Sequence, residues 1–319
     1  MKKIKQLGKV LMLFMVLFLV LPYLIPAPVN KYKTTGLAIL ANPRLFPGEI
    51  IDVEGQSIYV EDLNTQSDNV VTFIHGFGGS SFTWRDNKQF FVDRGYRVVL
   101  IDLPGFGLSN VGFGANYSHA QQATVVKNVL LKLGIEKTDL IGHSMGSNIA
   151  IHFAQNNPEM VKRLVIVDGS VVENSSSNFF SSLINQDPLR RWGNLMLSWL
   201  YTKDTFSNTL KSAYFDPVKM TEDTLKGYYL PLEIEGWQDA LLGITRDASN
   251  NVIPKSLSTV NIPTSIIWGS NDSWIPKSQG ELLQQKISNS SFVLISNSGH
   301  LPMEENPQEF NSSLLELIK

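Results

Sequence analysis

The chemistry in this chain is concentrated at Gly142-His143-Ser144-Met145-Gly146. The segment follows the apolar run Thr138-Asp139-Leu140-Ile141 and precedes a helix-compatible stretch from Ser147 to Ala154. Strand, G-x-S-x-G and helix together make the context of a nucleophile elbow. The turn is sharp enough that a side chain at either flanking position would clash, so glycine serves there. It holds the Ser144 hydroxyl clear of the backbone at the start of a helix. That terminus carries partial positive charge and unpaired N–H groups, which suit a developing oxyanion.

A serine of this kind needs a base, and the base needs an acid to orient it. The chain has five histidines. His143 lies inside the turn, where its ring cannot easily reach back to Ser144. His152 is too far along the following helix. His119 opens another helix in a polar stretch and reads as a surface or capping residue. His300 follows the apolar run Ser291-Phe292-Val293-Leu294-Ile295, which places it on a loop at the C-terminal end of a strand, where α/β sheets gather their chemistry. Two acids compete for the third role. Asp272 follows the strand Thr264–Gly269, and Asp168 ends the strand Leu164–Asp168. Asp272 gives the chain order Ser, Asp, His that this strand–elbow arrangement requires. Asp168 and Asp102 then read as braces for neighbouring loops.

His75-Gly76-Phe77-Gly78-Gly79 follows the apolar strand Val70–Ile74. A glycine-rich turn lets backbone N–H groups approach a ligand. The N–H groups of Phe77 and Met145 are therefore the expected oxyanion donors, with Gly76 beside the substrate and His75 bracing the loop. No lysine follows at a spacing that would make a phosphate-binding loop.

Five segments in order carry a resemblance: His75–Gly79, Asp102-Leu103-Pro104-Gly105-Phe106-Gly107-Leu108-Ser109, Gly142–Gly146, Gly269-Ser270-Asn271-Asp272 and Ser298-Gly299-His300. The chain resembles α/β-hydrolases of the serine esterase, lipase and C–C hydrolase group over roughly residues 48–319. The resemblance implies a mostly parallel twisted sheet with helices on both faces, a helical cap insertion, and a Ser144–His300–Asp272 triad. Serine at the elbow separates the chain from the epoxide hydrolase and haloalkane dehalogenase branches, which carry aspartate there. Ser147 stands where many relatives have another glycine.

The elements that must position these residues are legible as an alternation. A hairpin turns at Glu54-Gly55 within 48–63. Strands are expected at 70–74, 97–101, 139–141, 163–168, 264–269 and 291–295. Helices are expected near 118–133, 147–154, 279–287 and 307–318. Such alternation implies a parallel sheet covered on both faces. The core is expected over 48–170 and 233–319, and residues 171–232 read as a helical cap. The cap is rich in large apolar residues, among them Phe179, Phe180, Trp192, Trp199, Phe206 and Tyr214. Trp192 and Trp199 are the expected substrate contacts in a pocket roofed by apolar groups.

The 319 residues are 43% hydrophobic with a net charge of −2, enough for one large core with a small cap. No basic patch argues for nucleic acid. The absence of cysteine excludes disulfides and thiolate metal sites. Residues 1–29 combine lysines at 2, 3, 5 and 9 with an apolar run at 10–21. They read as an N-terminal membrane anchor holding the catalytic domain outside the cell, with a cleaved signal peptide as the alternative. Residues 30–47 read as a tether.

The expected activity is hydrolysis of a small, lipophilic carboxylic ester through an acyl-enzyme on Ser144, with no metal or organic cofactor. Alternatives are a C–C bond hydrolase of the meta-cleavage type and an acyltransferase. A binding protein on a hydrolase scaffold is disfavoured, because no triad member is missing.

Overall fold

The computed structural model describes residues 2–26, 47–109, 112–169, 171–173, 183–234 and 236–319. The tether expected at 30–47 falls almost entirely outside the described residues, as does the stretch of the expected cap at 174–182 that contains Phe179 and Phe180.

Eight strands form one sheet in the order β1-β2-β4-β3-β5-β6-β7-β8. They are β1 (Glu49–Val53), β2 (Gln56–Leu63), β3 (Val70–Ile74), β4 (Arg97–Ile101), β5 (Thr138–His143), β6 (Val161–Val167), β7 (Thr264–Gly269) and β8 (Ser291–Ile295). The β1–β2 and β2–β4 pairs are antiparallel, and every other pair is parallel. β1 and β2 join through Glu54 and Gly55, both at positive φ (53° and 80°), the backbone a tight two-residue hairpin needs. β3 and β5 are buried along their whole length, as expected of central parallel strands covered on both faces.

The helices, in chain order, are α1 (Lys2–Leu24), α2 (Lys88–Val92), α3 (His119–Lys132), α4 (Met145–Asn156), α5 (Asp187–Leu200), α6 (Lys203–Ala213), α7 (Glu222–Tyr229), α8 (Trp237–Asp247), α9 (Lys277–Lys286), α10 (Pro302–Glu305) and α11 (Pro307–Leu317). Two apolar layers flank the sheet. One joins α3, α4 and α9 to it through residues such as Val126, Ile149 and Leu283. The other joins α2 and α11 through Phe91, Phe310 and Leu314.

Helices α5 to α8 all lie between β6 and β7. The helical run therefore continues past Leu232, the expected end of the insertion, and includes α8. α8 packs on α5, where a Cβ on Gly193 would come within 3.0 Å of Leu242.

The expected membrane anchor is not borne out. Among the described residues, no helix is long and apolar enough to cross a membrane. α1 opens with lysines and contains Pro22. Its uninterrupted apolar run at 10–21 is shorter than the roughly 20 residues a span needs. The cellular location drawn from that segment falls with it. α1 instead lies against α5: the Trp192 indole N–H donates to the Phe18 carbonyl at 2.8 Å, and the two rings stack at 5.7 Å.

Candidate active site

The sheet order reverses at β3, because β4 lies on one side of it and β5 on the other. The carboxyl ends of β3 and β5 therefore open a crevice between their crossovers, the usual ligand position in an open α/β sheet. His75-Gly76-Phe77 leaves β3 into that crevice, and Ser144 leaves β5 into it.

Ser144 sits at φ 50°, ψ −119°, a strained conformation for a residue with a side chain. The surroundings impose it. The Ser144 N–H donates to the Val167 carbonyl at 2.9 Å. A Cβ on Gly142 would lie 2.5 Å from the Gly146 carbonyl oxygen, and one on Gly146 would lie 2.5 Å from that of His75. Only glycine permits strand, turn and helix to approach so closely.

His300 Nε2 lies 3.0 Å from Ser144 Oγ, and His300 Nδ1 lies 2.7 Å from Asp272 Oδ2. The three side chains thus form a continuous hydrogen-bonded relay from three strand ends. Asp272 Oδ1 accepts the N–H groups of Trp274 (2.8 Å) and Ile275 (3.0 Å). Burial alone would raise its pKa. The His300 hydrogen bond and charge, with those two N–H groups, hold it below the usual carboxylate value. The Trp274 ring lies over the other side of His300, at 5.2 Å between centroids and 32° between planes.

Asp168, the competing acid, is fully buried at φ 43°. Its Oδ1 accepts the Gly269 N–H at 2.9 Å, while Oδ2 has no hydrogen bond of ordinary geometry. Burial, then the neighbouring Asp272 charge, pushes its pKa well above normal. Its surroundings thus disfavour the charged form, the opposite of what Asp272 experiences. Ligand atoms of Asp168, Asp272 and His300 lie within 4.8 Å of one another. A metal bound there would have to displace the His300–Asp272 hydrogen bond that aims the imidazole at Ser144.

The remaining conspicuous polar residues are braces. His75 is buried, with Nδ1 against the Gly76 carbonyl (2.7 Å) and Nε2 accepting the Leu103 N–H (3.0 Å). Burial lowers its pKa to about 4. Asp102 accepts the N–H groups of Ser81 (2.6 Å) and Leu108 (2.7 Å). Burial raises its pKa to about 7. His143, on the elbow, turns to the His300 carbonyl oxygen at 2.8 Å. Burial, then the nearby His300 charge, lowers its pKa to about 3, so it remains neutral and donates. His119 is also buried, paired with Asn148 at 2.6 Å, rather than at the surface as its sequence context suggests.

Met145 is the first residue of α4, so its N–H is among the first-turn donors without a helical acceptor. Phe77 and Met145 both line a cavity of about 680 Å³ that contains Ser144 and His300. Gly76 lines it too, and a Cβ there would meet Ser144 Cβ at 2.9 Å. The far walls come from the insertion, including Phe206, Leu210, Tyr228, Trp237 and Ile244. Among the described residues lining it there is no Asp, Glu, Lys or Arg.

Two expected contacts lie elsewhere. Trp192 and Trp199 are not in this cavity. Trp192 faces α1 in a separate apolar hollow with Phe14, Leu17 and Phe18, and Trp199 is 48% exposed. The tryptophans that do line the cavity are Trp237 and Trp274. The spacing Trp237, Leu241, Ile244 is a helical apolar stripe that could have marked α8.

The model of the α/β hydrolase fold family matches residues 69–307. The chain is 31% identical to a 2-hydroxy-6-oxononadienedioate/2-hydroxy-6-oxononatrienedioate hydrolase of a Pseudomonas species, over 85% of this chain and 96% of the relative. Its fold is similar to a solved meta-cleavage product hydrolase from Pseudomonas fluorescens, with a TM-score of 0.70 and 22% identity, covering 85% of this chain and 97% of the other. It is similar in fold to a bacterial membrane phospholipase A as well, with a TM-score of 0.70 and 23% identity, covering 100% and 98% of the two chains. The chain belongs to the α/β-hydrolase fold family.

Proposed function

We propose that this α/β-hydrolase is a serine hydrolase of lipophilic carboxylic esters, with the helices from α5 to α8 as its cap. The observation that carries this reading is the cavity beside Ser144, walled by aromatic and aliphatic side chains and free of charged ones among the described lining. Such a cavity rewards burial of an acyl chain, at about 0.8 kcal/mol per CH₂. Among the described lining residues no Asp, Glu, Lys or Arg offers a partner for a desolvated charge.

In the proposed mechanism His300 Nε2 takes the Ser144 proton as Oγ attacks the ester carbonyl. Asp272 holds the imidazole with Nε2 toward Ser144 and stabilises the imidazolium that forms. The amides of Phe77 and Met145 bind the oxyanion, each donor worth about 3 kcal/mol in comparable sites. His300 then protonates the leaving alcohol. Water, deprotonated by the same ring, attacks the acyl-enzyme and releases the carboxylic acid.

A second reading, C–C hydrolysis, is favoured by the sequence relative that bears this activity in its name. The same triad could serve it. That substrate is a dicarboxylate, and both charges would have to be accommodated in or at the mouth of a cavity with no Lys or Arg among its described lining residues.

Substrate profiling separates the two. A p-nitrophenyl ester series from acetate to palmitate and a vinylogous keto dicarboxylate are compared by kcat/KM. The ester reading predicts turnover that rises with acyl length before levelling off. Turnover of the keto acid with none of any ester would replace it with the C–C reading.

A further inference from the structure

Glu305 is buried, and its carboxylate collects three backbone N–H groups from two distant segments. Phe215 donates at 2.9 Å and Asp216 at 3.0 Å, both just beyond the C-terminus of α6 in the insertion. Gly299 donates at 2.5 Å, one residue before His300. The same two segments also bond directly, the His300 N–H donating to the Ala213 carbonyl at 2.8 Å. Their approach is backbone against backbone: a Cβ on Gly299 would lie 2.5 Å from the Ala213 oxygen and 2.7 Å from the Phe215 nitrogen.

The acid's loop leans on the same short stretch. Ser273 Oγ donates to the Ser212 carbonyl at 3.3 Å, and the Trp274 indole N–H donates to Ser212 Oγ at 3.1 Å. Residues 212–216 thus brace both the Asp272 loop and the His300 loop. Ala213 within this stretch and Leu210 just before it line the cavity.

We propose that Glu305 is a positioning residue that binds the end of α6 to the His300 loop, making that part of the insertion a fixed member of the catalytic frame. This rests on the assignment of Ser144, Asp272 and His300 as the reacting triad. Charge explains why a carboxylate serves here. Three N–H donors converge on it, and charge-assisted hydrogen bonds are roughly twice as strong as neutral ones. A glutamine would turn its NH₂ toward one of those donors. If α6 swung away as a lid, it would strip the His300 N–H of its Ala213 acceptor and Glu305 of the Phe215 and Asp216 donors. Substrate must therefore enter without moving this segment. The exposed side chains of Phe77 and Trp274 stand where the cavity reaches solvent.

The test uses the full chain with Glu305→Ala, Glu305→Gln and, as a destabilised control, Arg97→Ala. Arg97 forms a two-pronged ion pair with Asp62 on β2, away from the site. Steady-state hydrolysis of p-nitrophenyl hexanoate, thermal melting and the deshielded Nδ1–H proton resonance of His300 are measured for each. Glu305→Ala is expected to lower kcat by about 10- to 100-fold, as small misplacements of a catalytic group do, with KM nearly unchanged and the His300 proton signal shifted or broadened. Glu305→Gln should fall between it and wild type, and it carries the test if the alanine variant does not fold. Arg97→Ala should lower the melting temperature and leave kcat and the signal unchanged. A Glu305 variant with wild-type kcat and an unmoved signal would overturn the proposal, as would the same kcat loss in Arg97→Ala. Ser144→Ala, run in parallel, separates the levels. If it is inactive while the Glu305 variants match wild type, only the positioning role fails. If it stays active, the triad reading itself fails.

Discussion

His143 Nε2–H donates to the carbonyl oxygen of His300 at 2.8 Å. The elbow thus presents Ser144 on one side and, one residue earlier, grips the backbone of the histidine that faces it. The two loops are locked in register by a contact independent of the Ser144–His300 hydrogen bond. His143→Ala would leave a buried carbonyl unpaired, a loss of about 1–3 kcal/mol of stability. It should also lower kcat by about tenfold through loosened geometry. Chemical denaturation and ester kinetics on the same preparation check both. A variant as stable and as active as wild type would mean that the contact has no structural weight.

The two acids should respond in opposite ways to amidation. Asp272 is held ionised and orients the His300 tautomer, so Asp272→Asn should reduce kcat by about 10⁴-fold, as the equivalent change does in serine proteases. Asp168 Oδ1 accepts the Gly269 N–H, a bond an asparagine oxygen keeps, and burial, then Asp272, disfavours its charge. Asp168→Asn should stay within a few-fold of wild type. If Asp168→Asn proved the more damaging of the two, the roles would be reversed.

Gly146 should tolerate no side chain. A Cβ there would sit 2.5 Å and 2.6 Å from the carbonyl oxygens of His75 and Ile74. Neither backbone can retreat, because β3 is the centre of the sheet. Gly146→Ala is expected to cost about 3 kcal/mol or more, read as a lost or strongly lowered melting transition. A melting temperature within a few degrees of wild type would show that the elbow is looser than this.

His119 gives a pH signature. Burial, then the nearby His152 charge, lowers its pKa to about 3. Between that value and the ordinary histidine value near 6.5, the unfolded chain binds a proton that the folded chain does not. Stability from this group is therefore complete above about pH 6.5 and falls as pH drops toward 3, by up to about 1.4 kcal/mol per pH unit. His75 and His143, lowered by burial to about 4 and about 3, act in the same window, so the difference from His119→Gln isolates the effect. Wild type should lose stability relative to the variant on going from pH 7 to pH 4. A pH-independent difference would contradict the assignment.

Much of this was legible in the sequence, for identifiable reasons. The central strands carry apolar runs such as Val70–Ile74 and Leu164–Val167, and glycines mark the sharp turns at their carboxyl ends. Ser144, Asp272 and His300 come together because each lies on the turn or loop at the carboxyl end of such a strand. Trp192 and Trp199 misled because the α5 face carrying Leu189, Trp192 and Met196 meets α1 and not the cavity. Periodicity marks a helix's apolar faces without saying which meets the cavity and which meets α1. Trp237 lay beyond the expected end of the insertion, although its spacing to Leu241 and Ile244 was available. Glu305 and His143 had no local signal, since the Phe215, Asp216 and His300 backbone atoms they hold are far away in sequence. The N-terminal segment has the composition of an anchor, but Pro22 interrupts its apolar run at 10–21 short of a full span.

The central claim is that Ser144 is the nucleophile for a lipophilic ester. The direct measurement is turnover of a long-chain p-nitrophenyl ester by wild type and by Ser144→Ala, with circular dichroism and melting to establish that both are folded. Loss of the nucleophile from a triad costs about 10⁶-fold in kcat in a well-studied serine protease, and a loss of at least about 10⁴-fold is predicted here. Ester turnover by folded Ser144→Ala at a rate near that of wild type would contradict the account.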